Sequence, residues 1–392
     1  MHDYRLTFGE AEVPYLYGAG CTAELAPAII EALGDVDALL FVVDRTVTGH
    51  AAELIDRLAG SLRVEVHVVE ALERNKTLTA TQSIMESAVD AGLTRRSAVV
   101  AMGGGTVGNV AGLAASLLFR GTRLVHLPTT PVAAFDATIS IKQGVNLRAG
   151  KNLCGAYFVP TLIACDLAWL TTVPRGELLT GLAEMVKNVL VAAPALEDKL
   201  IGALDGLAQR DPGGLRGKEH VVRTTQALGQ LLEIGIEAKA PYLRTDPRER
   251  GDALVFEYGH TVGHAIEFVN GGAVSHGEAV AWGMLAAAEV GRQRYGLGAS
   301  DVATHYRLMS RLDLPDPARR LGGLDRDAIR AVLAADNKRG YGPCAADEVL
   351  MVVLEAVGQP AVAPPLPLVP VPAEVLMAAL DTVAQATQGA LR

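Results

Sequence analysis

The chain has 392 residues, a formal net charge of −9, and a composition that is 50% hydrophobic but only 5% aromatic. This length is too great for one hydrophobic core and predicts two domains, while the negative charge excludes non-specific nucleic-acid binding, which needs a basic face. No apolar run is long enough to cross a membrane, and the N-terminus lacks the basic and then apolar order of a signal peptide, so we expect a cytoplasmic protein.

The first half of the chain alternates strands with helices. Apolar runs predict strands at 38–43, 64–69, 97–102 and 123–127, and a helical period predicts a helix at 77–91. Such alternation predicts a parallel sheet that is covered on both faces. Ligands of these sheets bind at the carboxyl ends of the strands, where Asp44, the 73–76 stretch, the glycines after residue 102 and Thr129 with Thr130 all fall.

The most informative turn is the run from Gly103 to Gly108, which lies between a buried strand and a helix rich in small residues. Glycines at this point let the backbone approach a ligand, and the helix N-terminus offers free N–H groups to phosphate oxygens. The spacing differs from G-x-G-x-x-G, so two interpretations stay open. The turn binds a dinucleotide pyrophosphate, which we favour, or its glycines serve only tight packing.

A polar segment with several glycines, 136–152, follows the last of these strands. It brings Lys142, Lys151 and Asn152 towards the expected nucleotide cleft. Lysine and asparagine donors suit a phosphorylated, polyhydroxylated substrate. For any single lysine, a solvated surface position is the alternative.

From about Thr171 the pattern becomes helical, and strand signals nearly vanish. Helices are predicted at 178–192, 221–240, 263–269, 278–295 and 325–334. The proline-rich stretch 361–371 is expected to be extended and to precede a last helix from Ala373. The predicted fold class is therefore α/β plus all-α, with an N-terminal domain at 1–172 and an α-helical domain at 173–392.

Candidate metal ligands are a carboxylate and histidines. The cysteines are scattered without a C-x-x-C motif and indicate reduced thiols: Cys21, Cys154, Cys165 and Cys344. His260 and His264 share one helix face, and His276 follows within 17 residues of His260. Glu184 with two of these histidines would form a site of the composition used for catalytic Zn²⁺ or a similar ion.

Each member of this group also has a simpler interpretation. A single histidine can be a satisfied core residue, and Glu184 with Lys187, three residues on, is by itself most simply a surface ion pair. A nucleotide that moves hydride, a metal that polarises hydroxyls and lysines for a phosphate nevertheless form a coherent set. Together they indicate oxidation of a sugar phosphate carbinol beside a metal.

Nine motifs occur in an order that resembles the sugar phosphate cyclases, whose best-known member is dehydroquinate synthase. Between residues 15 and 358 they are GGGTVGNVAG, FRG, HLPTT, SIKQGVN, GKN, GLAEMVKN, EYGHTVGHAIE, SHGEAVAWGM and DNKRGY. The resemblance implies a Rossmann-like parallel-sheet NAD domain followed by an α-helical domain that binds metal and substrate. It also implies a homodimer, bound NAD⁺, and Zn²⁺ or Co²⁺ held by Glu184, His260 and His276.

The resemblance further implies roles for individual residues. Lys142 and Glu257 are the expected acid–base residues, although Lys142 could instead hold the phosphate. The expected substrate-binding residues are Arg120 (reaching in from the dimer partner), Asp136, Lys187, Lys239, His264 and Lys338. Asp44 is expected to accept hydrogen bonds from the adenosine ribose. The other expected NAD-binding residues are Glu73, Arg74, Asn75, Lys76, Gly105, Thr106, Val107, Gly108, Asn109, Thr129, Thr130, Ser140, Ile141, Lys142, Lys151 and Asn152.

Several positions depart from dehydroquinate synthases. Asn109 replaces an aspartate, Glu257 replaces an asparagine, and Ala253 replaces an arginine suited to a substrate carboxylate. With the SIKQ sequence, these departures resemble the branch that converts glucose 6-phosphate into 2-deoxy-scyllo-inosose, the precursor of 2-deoxystreptamine in aminoglycoside antibiotics. The alternatives are a dehydroquinate or 2-epi-5-epi-valiolone synthase, a metal-dependent polyol dehydrogenase, or a catalytically silent NAD-binding protein.

Overall fold

The computed structural model describes residues 1–148, 150–208, 218–271 and 273–385. These residues form two compact units. The first unit contains residues 1–173, 218–232 and 243–248. The second unit contains residues 174–208, 233–242 and 249–385. Residues 149 and 272 lie outside the described ranges. In the described ranges no helix is both long and apolar enough to cross a membrane. All four cysteines are free thiols.

The first unit contains nine strands. They are β1 (His2–Phe8), β2 (Ala11–Gly18), β3 (Ala38–Asp44), β4 (Arg63–Val69), β5 (Ala98–Gly103), β6 (Arg123–Pro128), β7 (Lys142–Leu147), β8 (Gly150–Tyr157) and β9 (Leu162–Asp166). Seven of them form one sheet in the order β1-β2-β9-β6-β5-β3-β4, in which only β1 and β2 pair antiparallel. The predicted parallel sheet is confirmed. The N-terminal hairpin β1–β2, the hairpin β7–β8 and strand β9 had not been predicted.

Helices cover both faces of this sheet. They are α1 (Thr22–Leu33), α2 (Thr48–Ala59), α3 (Leu78–Asp90) and α4 (Gly105–Leu117). Alternate residues of β3 explain the layering, because Leu39 and Phe41 pack in the cluster of α1 and α2, whereas Leu40 and Val42 pack in the cluster of α3 and α4. A strand that is buried on both sides reads as a continuous apolar run, as ALLFVV does.

The helices of the second half follow in chain order. They are α5 (Arg175–Ala192), α6 (Glu197–Ala208), α7 (Lys218–Thr245), α8 (His260–Val269), α9 (His276–Arg294), α10 (Ala299–Met309), α11 (Pro317–Leu321), α12 (Arg326–Leu333) and α13 (Ala373–Gln385). The predicted helical character of this half is confirmed. Helix α7 contributes residues to both units.

The expectation that strands vanish from the second half is wrong in detail. Strand β10 (Glu348–Met351) pairs antiparallel with β13 (Val369–Pro372), and β11 (Leu354–Ala356) pairs with β12 (Gln359–Pro360). The end of the proline-rich stretch is therefore a paired strand. Four-residue strands containing proline carry little periodic signal, and proline is tolerated in two-stranded pairs because their outer edges need no donor.

Candidate active site

The carboxyl ends of three neighbouring strands in the first unit form one edge. Strand β3 ends at Asp44, β5 ends at Gly103, and β6 is followed by Thr129, whose backbone N–H donates to the Gly103 carbonyl at 2.9 Å. The edge gathers the residues expected there from the sequence. One Asp44 carboxylate oxygen already accepts a backbone N–H, that of Thr46, at 3.1 Å.

The glycines of the turn differ in how closely neighbouring side chains pack against them. A Cβ at Gly103 would lie 2.6 Å from a Val107 methyl, and a Cβ at Gly104 would lie 3.1 Å from the Thr130 methyl. Packing therefore favours glycine strongly at Gly103 and more weakly at Gly104, which supports the packing interpretation for the start of the turn. Gly105 begins helix α4, and Val107 is fully buried in the core, so only its backbone is available to a ligand.

Asn109 ties helix α4 to the hairpin β7–β8. Its Oδ1 accepts the backbone N–H of Gly144 at 2.7 Å, and its Nδ2 donates to the Gly105 carbonyl at 2.8 Å. Lys142 is exposed at the start of that hairpin, next to buried Gln143. The amide expected beside the cofactor thus positions the segment that carries Lys142.

A hydrogen-bonded group joins the stretch after β4 to the hairpin. Lys76 Nζ donates to Asn152 Oδ1 at 2.6 Å, Asn146 Nδ2 donates to Glu73 Oε1 at 2.8 Å, and Lys151 Nζ lies 3.8 Å from Glu73 Oε1. Burial, aided by the charge of Lys151, lowers the pKa of Lys76 against the opposing effect of Glu73. The structure therefore brings four of the predicted residues together and adds Asn146, which the sequence prediction missed although it lies in the SIKQGVN motif.

The remaining predicted residues of the first unit differ in their solvent exposure. Arg74 and Arg120 are exposed, Asn75 donates from its side chain to the Glu70 carbonyl, Ser140 and Ile141 are buried, and Thr106, Gly108 and Thr130 are half-buried. Arg120 has a left-handed φ of 68°. Asp136 lies in a π-helical turn, Ala133–Ala137, which Tyr15 holds through a 2.7 Å hydrogen bond from its hydroxyl to the Ala134 carbonyl.

Three helices of the second unit bring one carboxylate and two imidazoles together. Glu184 lies in the middle of α5, while His260 and His276 are the first residues of α8 and α9. Glu184 Oε1 lies 3.3 Å from Nε2 of each histidine, and the three donor atoms lie within 4.8 Å of one another. His264 packs beside both imidazoles, with ring centroids 5.1 and 6.0 Å away. His260 and His276, and not His264, thus form the group with Glu184, which is the set that the resemblance implies.

Glu184 and Lys187 do not form a surface ion pair. Both side chains are buried, at 2% and 3% exposure, and Lys187 Nζ contacts Glu184 Oε2. Burial raises the pKa of Glu184, but Lys187 and His260 outweigh it and hold that pKa well below its usual range. A carboxylate kept charged in a buried position is suited to bind a cation.

Glycines allow these helices to approach closely. A Cβ at Gly263 would lie 3.1 Å from the Ala279 carbonyl oxygen, one at Gly277 would lie 2.6 Å from Thr180 Cα, and one at Gly283 would lie 2.0 Å from the Gly259 carbonyl oxygen. Gly259 itself has a left-handed φ of 76° just before His260. The spacing of EYGHTVGH and SHGEAVAWG therefore combines ligand positions with helix-contact positions.

Each histidine is oriented by a partner on its other nitrogen. His260 Nδ1 lies 3.2 Å from the Tyr258 carbonyl oxygen, and His276 Nδ1 lies 3.1 Å from Glu267 Oε2. A carbonyl only accepts, so His260 Nδ1 donates in this contact and Nε2 faces Glu184. Burial lowers the pKa of His276, but Glu184 and Glu267 outweigh it and raise that pKa to about 9. Glu267 was missed, although it lies one turn beyond His264 in the same motif.

The donor set of this cluster fits a divalent metal ion. One carboxylate oxygen and two Nε2 atoms converge, and the Nδ1 partners resemble the outer hydrogen bonds that orient metal-bound histidines. Three protein ligands leave a position for substrate. Zn²⁺ and Co²⁺ both accept this mixture of ligands.

Two further lysines of the second unit are buried, and one of them lies beside Glu257. Lys338 is 2% exposed, and its Nζ lies 3.5 Å from Glu257 Oε2 and 3.1 Å from Asp336 Oδ1. Lys239 is also buried, at 3% exposure. Ala253 is buried in the turn Asp252–Glu257, so no guanidinium projects from that position.

Family models and relatives agree with this architecture. The models for the 3-dehydroquinate synthase N-terminal and C-terminal domains match residues 66–180 and 181–339. A 2-deoxy-scyllo-inosose synthase of Streptomyces lividus is 41% identical over 388 residues, covering 98% of this chain and 96% of the relative. A 2-deoxy-scyllo-inosose synthase of Niallia circulans is 37% identical, covering 81% and 82%.

Solved structures extend the comparison. A 2-deoxy-scyllo-inosose synthase complexed with carbaglucose-6-phosphate, NAD⁺ and Co²⁺ matches with a TM-score of 0.81 and 30% identity, covering 97% of this chain and 99% of the other. A 2-epi-5-epi-valiolone synthase of Streptomyces hygroscopicus with NAD⁺ and Zn²⁺ matches at 0.78 and 28%, covering 96% and 98%. A glycerol dehydrogenase of Schizosaccharomyces pombe, at 0.65 and 15%, shares the fold alone. The chain therefore belongs to the 3-dehydroquinate synthase family of sugar phosphate cyclases, and the resemblance predicted from its motifs is confirmed.

Proposed function

We propose that the chain is a 2-deoxy-scyllo-inosose synthase, a carbon–oxygen lyase that converts D-glucose 6-phosphate into a carbocycle with loss of phosphate. Identity of 37–41% over most of the length of relatives with that activity in their names carries this proposal. Glu257 beside Lys338 and the absence of a guanidinium at Ala253 support it, since the substrate has no carboxylate. The product would enter 2-deoxystreptamine biosynthesis.

The two halves of the chain would bind different ligands. Residues 1–172 would bind NAD⁺ and 173–392 would bind metal and substrate. Glu184, His260 and His276 would hold Zn²⁺ or Co²⁺. When bound, NAD⁺ supplies a hydride acceptor that returns the hydride to C4 later, and the metal ion supplies a Lewis acid for the C4 hydroxyl.

The chain's own residues would bind the substrate and transfer protons. Between the two hydride transfers, the substrate loses its C5 proton and its C6 phosphate, and after ring opening C6 bonds to the C1 aldehyde, so the overall reaction is redox-neutral. Glu257, whose Oε2 lies 3.5 Å from Lys338 Nζ, would exchange a proton with the substrate. Lys187, Lys239 and Lys142 would bind the phosphate or assist its departure.

Glu257→Gln tests the acid–base role. The amide keeps the shape of the side chain and removes the proton acceptor, so turnover should fall about 100-fold or more. Binding of NAD⁺ and Co²⁺ should persist in equilibrium dialysis. Glu237→Gln, an exposed carboxylate that pairs with Lys199, is the control and should retain turnover. Normal turnover of Glu257→Gln would refute the assignment.

A substrate panel tests the reaction itself. Purified protein with NAD⁺ and Co²⁺ is offered glucose 6-phosphate, the dehydroquinate precursor or sedoheptulose 7-phosphate, and released phosphate and carbocycle are measured. Phosphate and a six-carbon carbocycle from glucose 6-phosphate, without net NADH, are expected. Turnover of another substrate would reassign the branch, net NADH release would indicate a dehydrogenase, and no turnover of any would contradict the proposal.

We expect a homodimer in which Arg120 reaches the partner's substrate. The residue is exposed, and the backbone of Phe119, Arg120 and Gly121 is left-handed at three successive positions, a strained arrangement of the kind found at functional loops. Sedimentation velocity should give about twice the 41.1 kDa chain mass. A monomer that turns over substrate would refute this arrangement.

A further inference from the structure

The aromatic ring of Phe256 lies beside two buried ammonium groups. Lys239 Nζ is 5.3 Å and Lys187 Nζ is 6.0 Å from the ring centroid. Phe256 and both lysines are buried. Phe256 directly precedes Glu257 in the chain and had no role in the sequence-based prediction.

The position of the ring is itself fixed. Tyr242 lies three residues after Lys239 on α7 and meets Phe256 edge-on, with centroids 5.2 Å apart and planes at 76°. Lys187 comes from α5 and Lys239 from α7, so two side chains from different helices approach the Phe256 ring. An edge-on aromatic pair favours one orientation of the ring.

The electrostatics favour a positioning role. Lys187 already contacts the Glu184 carboxylate, and both lysines are buried away from the water that would otherwise solvate their charges. The negative face of an aromatic ring attracts a cation within about 6 Å, and the attraction grows when water is excluded. A leucine of similar hydrophobicity would fill the space without this attraction.

We propose that Phe256 is a positioning residue that holds Lys187 and Lys239 as a pair of charged donors for the phosphate of the substrate. The identity of that phosphate ester rests on the proposed function, whereas the pairing of the two lysines rests on the contacts above. The ring's contribution depends on its electron distribution as well as on its volume.

Stepwise fluorination of Phe256 tests this dependence, because fluorine withdraws electron density from the ring with little change of shape. We would incorporate phenylalanine with one, two or three ring fluorines at residue 256 of the full chain. Binding of inorganic phosphate and of glucose 6-phosphate would be measured by calorimetry with Co²⁺ and without NAD⁺. Affinity for both should fall in steps, reaching about three- to tenfold with three fluorines. Phe256→Leu should weaken binding at least as much, and Phe256→Tyr should restore it.

Controls separate this inference from the proposed function. The same fluorinated residues at Phe41, in the core of the first unit, should leave phosphate affinity unchanged. Lys239→Met should reduce the dependence on fluorination, because only the more distant Lys187 then remains beside the ring. Equal affinity across the Phe256 series, or no phosphate binding by the unaltered chain, would overturn the inference. The turnover assay with glucose 6-phosphate judges the proposed function independently, because it uses the unaltered protein.

Discussion

At the scale of single residues, the two histidines of the proposed metal centre have unequal outer partners. His260 bonds to the neutral carbonyl of Tyr258, whereas His276 bonds to the carboxylate of Glu267. A charged acceptor strengthens the hydrogen bond and makes the imidazole a better electron donor. Glu267 would therefore influence a bound metal ion through His276 without touching it.

Glu267→Gln should weaken metal binding about 10- to 100-fold, the range seen when the outer partner of a metal ligand is altered. The amide can still accept a hydrogen bond from His276 Nδ1, but it carries no charge. Competition with a chromogenic chelator measures the affinity for Zn²⁺ or Co²⁺. Glu289→Gln on α9, which removes a carboxylate paired with Arg292, should leave the affinity unchanged. Identical affinities in both variants would contradict the role of Glu267.

The limit of sequence-based prediction is visible in these residues. Residue type and helical spacing identified Glu184, His260, His264 and His276 as candidates. They could not separate the histidines, because His260 and His264 lie on the same helix face. The selection depends on Glu184, which lies 92 residues from His276 in the chain.

At the scale of elements, glycines at helix contacts set the distances within the cluster. The N-terminal end of α8 packs against the middle of α9 because neither Gly259 nor Gly283 has a side chain at the contact. The sequence shows these glycines clearly, but a glycine-rich helix has several possible partners. Only packing determined that α9 contacts α8 through Gly283 and α5 through Gly277.

Gly283→Ala should destabilise the fold and the metal site together. The new Cβ would lie 2.0 Å from the Gly259 carbonyl oxygen, a backbone atom that cannot move alone. We expect a loss of about 1–3 kcal/mol in the free energy of unfolding. Metal affinity should fall as well, because His260 directly follows Gly259.

Gly202→Ala on α6 is the matched control for this change, since nothing lies within 4 Å of its added Cβ. Alanine favours helix over glycine, so this variant should gain about 0.5–1 kcal/mol. Urea unfolding monitored by circular dichroism measures both variants. Equal stability of the two would show that α8 and α9 are not in close contact at Gly283.

At the scale of the whole molecule, each unit contains a fully buried histidine outside the proposed catalytic group. Burial lowers the pKa of His126 in the first unit and of His305 in the second to about 4. In the unfolded chain an imidazole titrates near 6.5. The unfolded state therefore binds more protons between these two values, and stability falls as the pH is lowered through that window.

His126→Leu removes one of these two titrating groups, so the free energy of unfolding should depend less on pH. Between pH 7.5 and pH 5 the unaltered chain should lose about 2 kcal/mol more unfolding free energy than the variant. Denaturant unfolding at the two pH values measures the difference. His2→Leu replaces an exposed imidazole and should behave like the unaltered chain. Parallel curves for the unaltered chain and His126→Leu would contradict burial of a neutral His126.

The sequence by itself determined the family, the parallel sheet, the helical second half and the set of candidate residues. These features depend on local period and on ordered motifs, which are properties of neighbouring residues. Tertiary structure showed that Glu184 and Lys187 are buried and brought together Glu184, His260 and His276, the set that the ordered motifs had already implied. It also placed Glu267 beside His276 and Phe256 beside Lys187 and Lys239. Such contacts join distant parts of the chain, and helix packing fixes them at glycines whose partners no local pattern reveals.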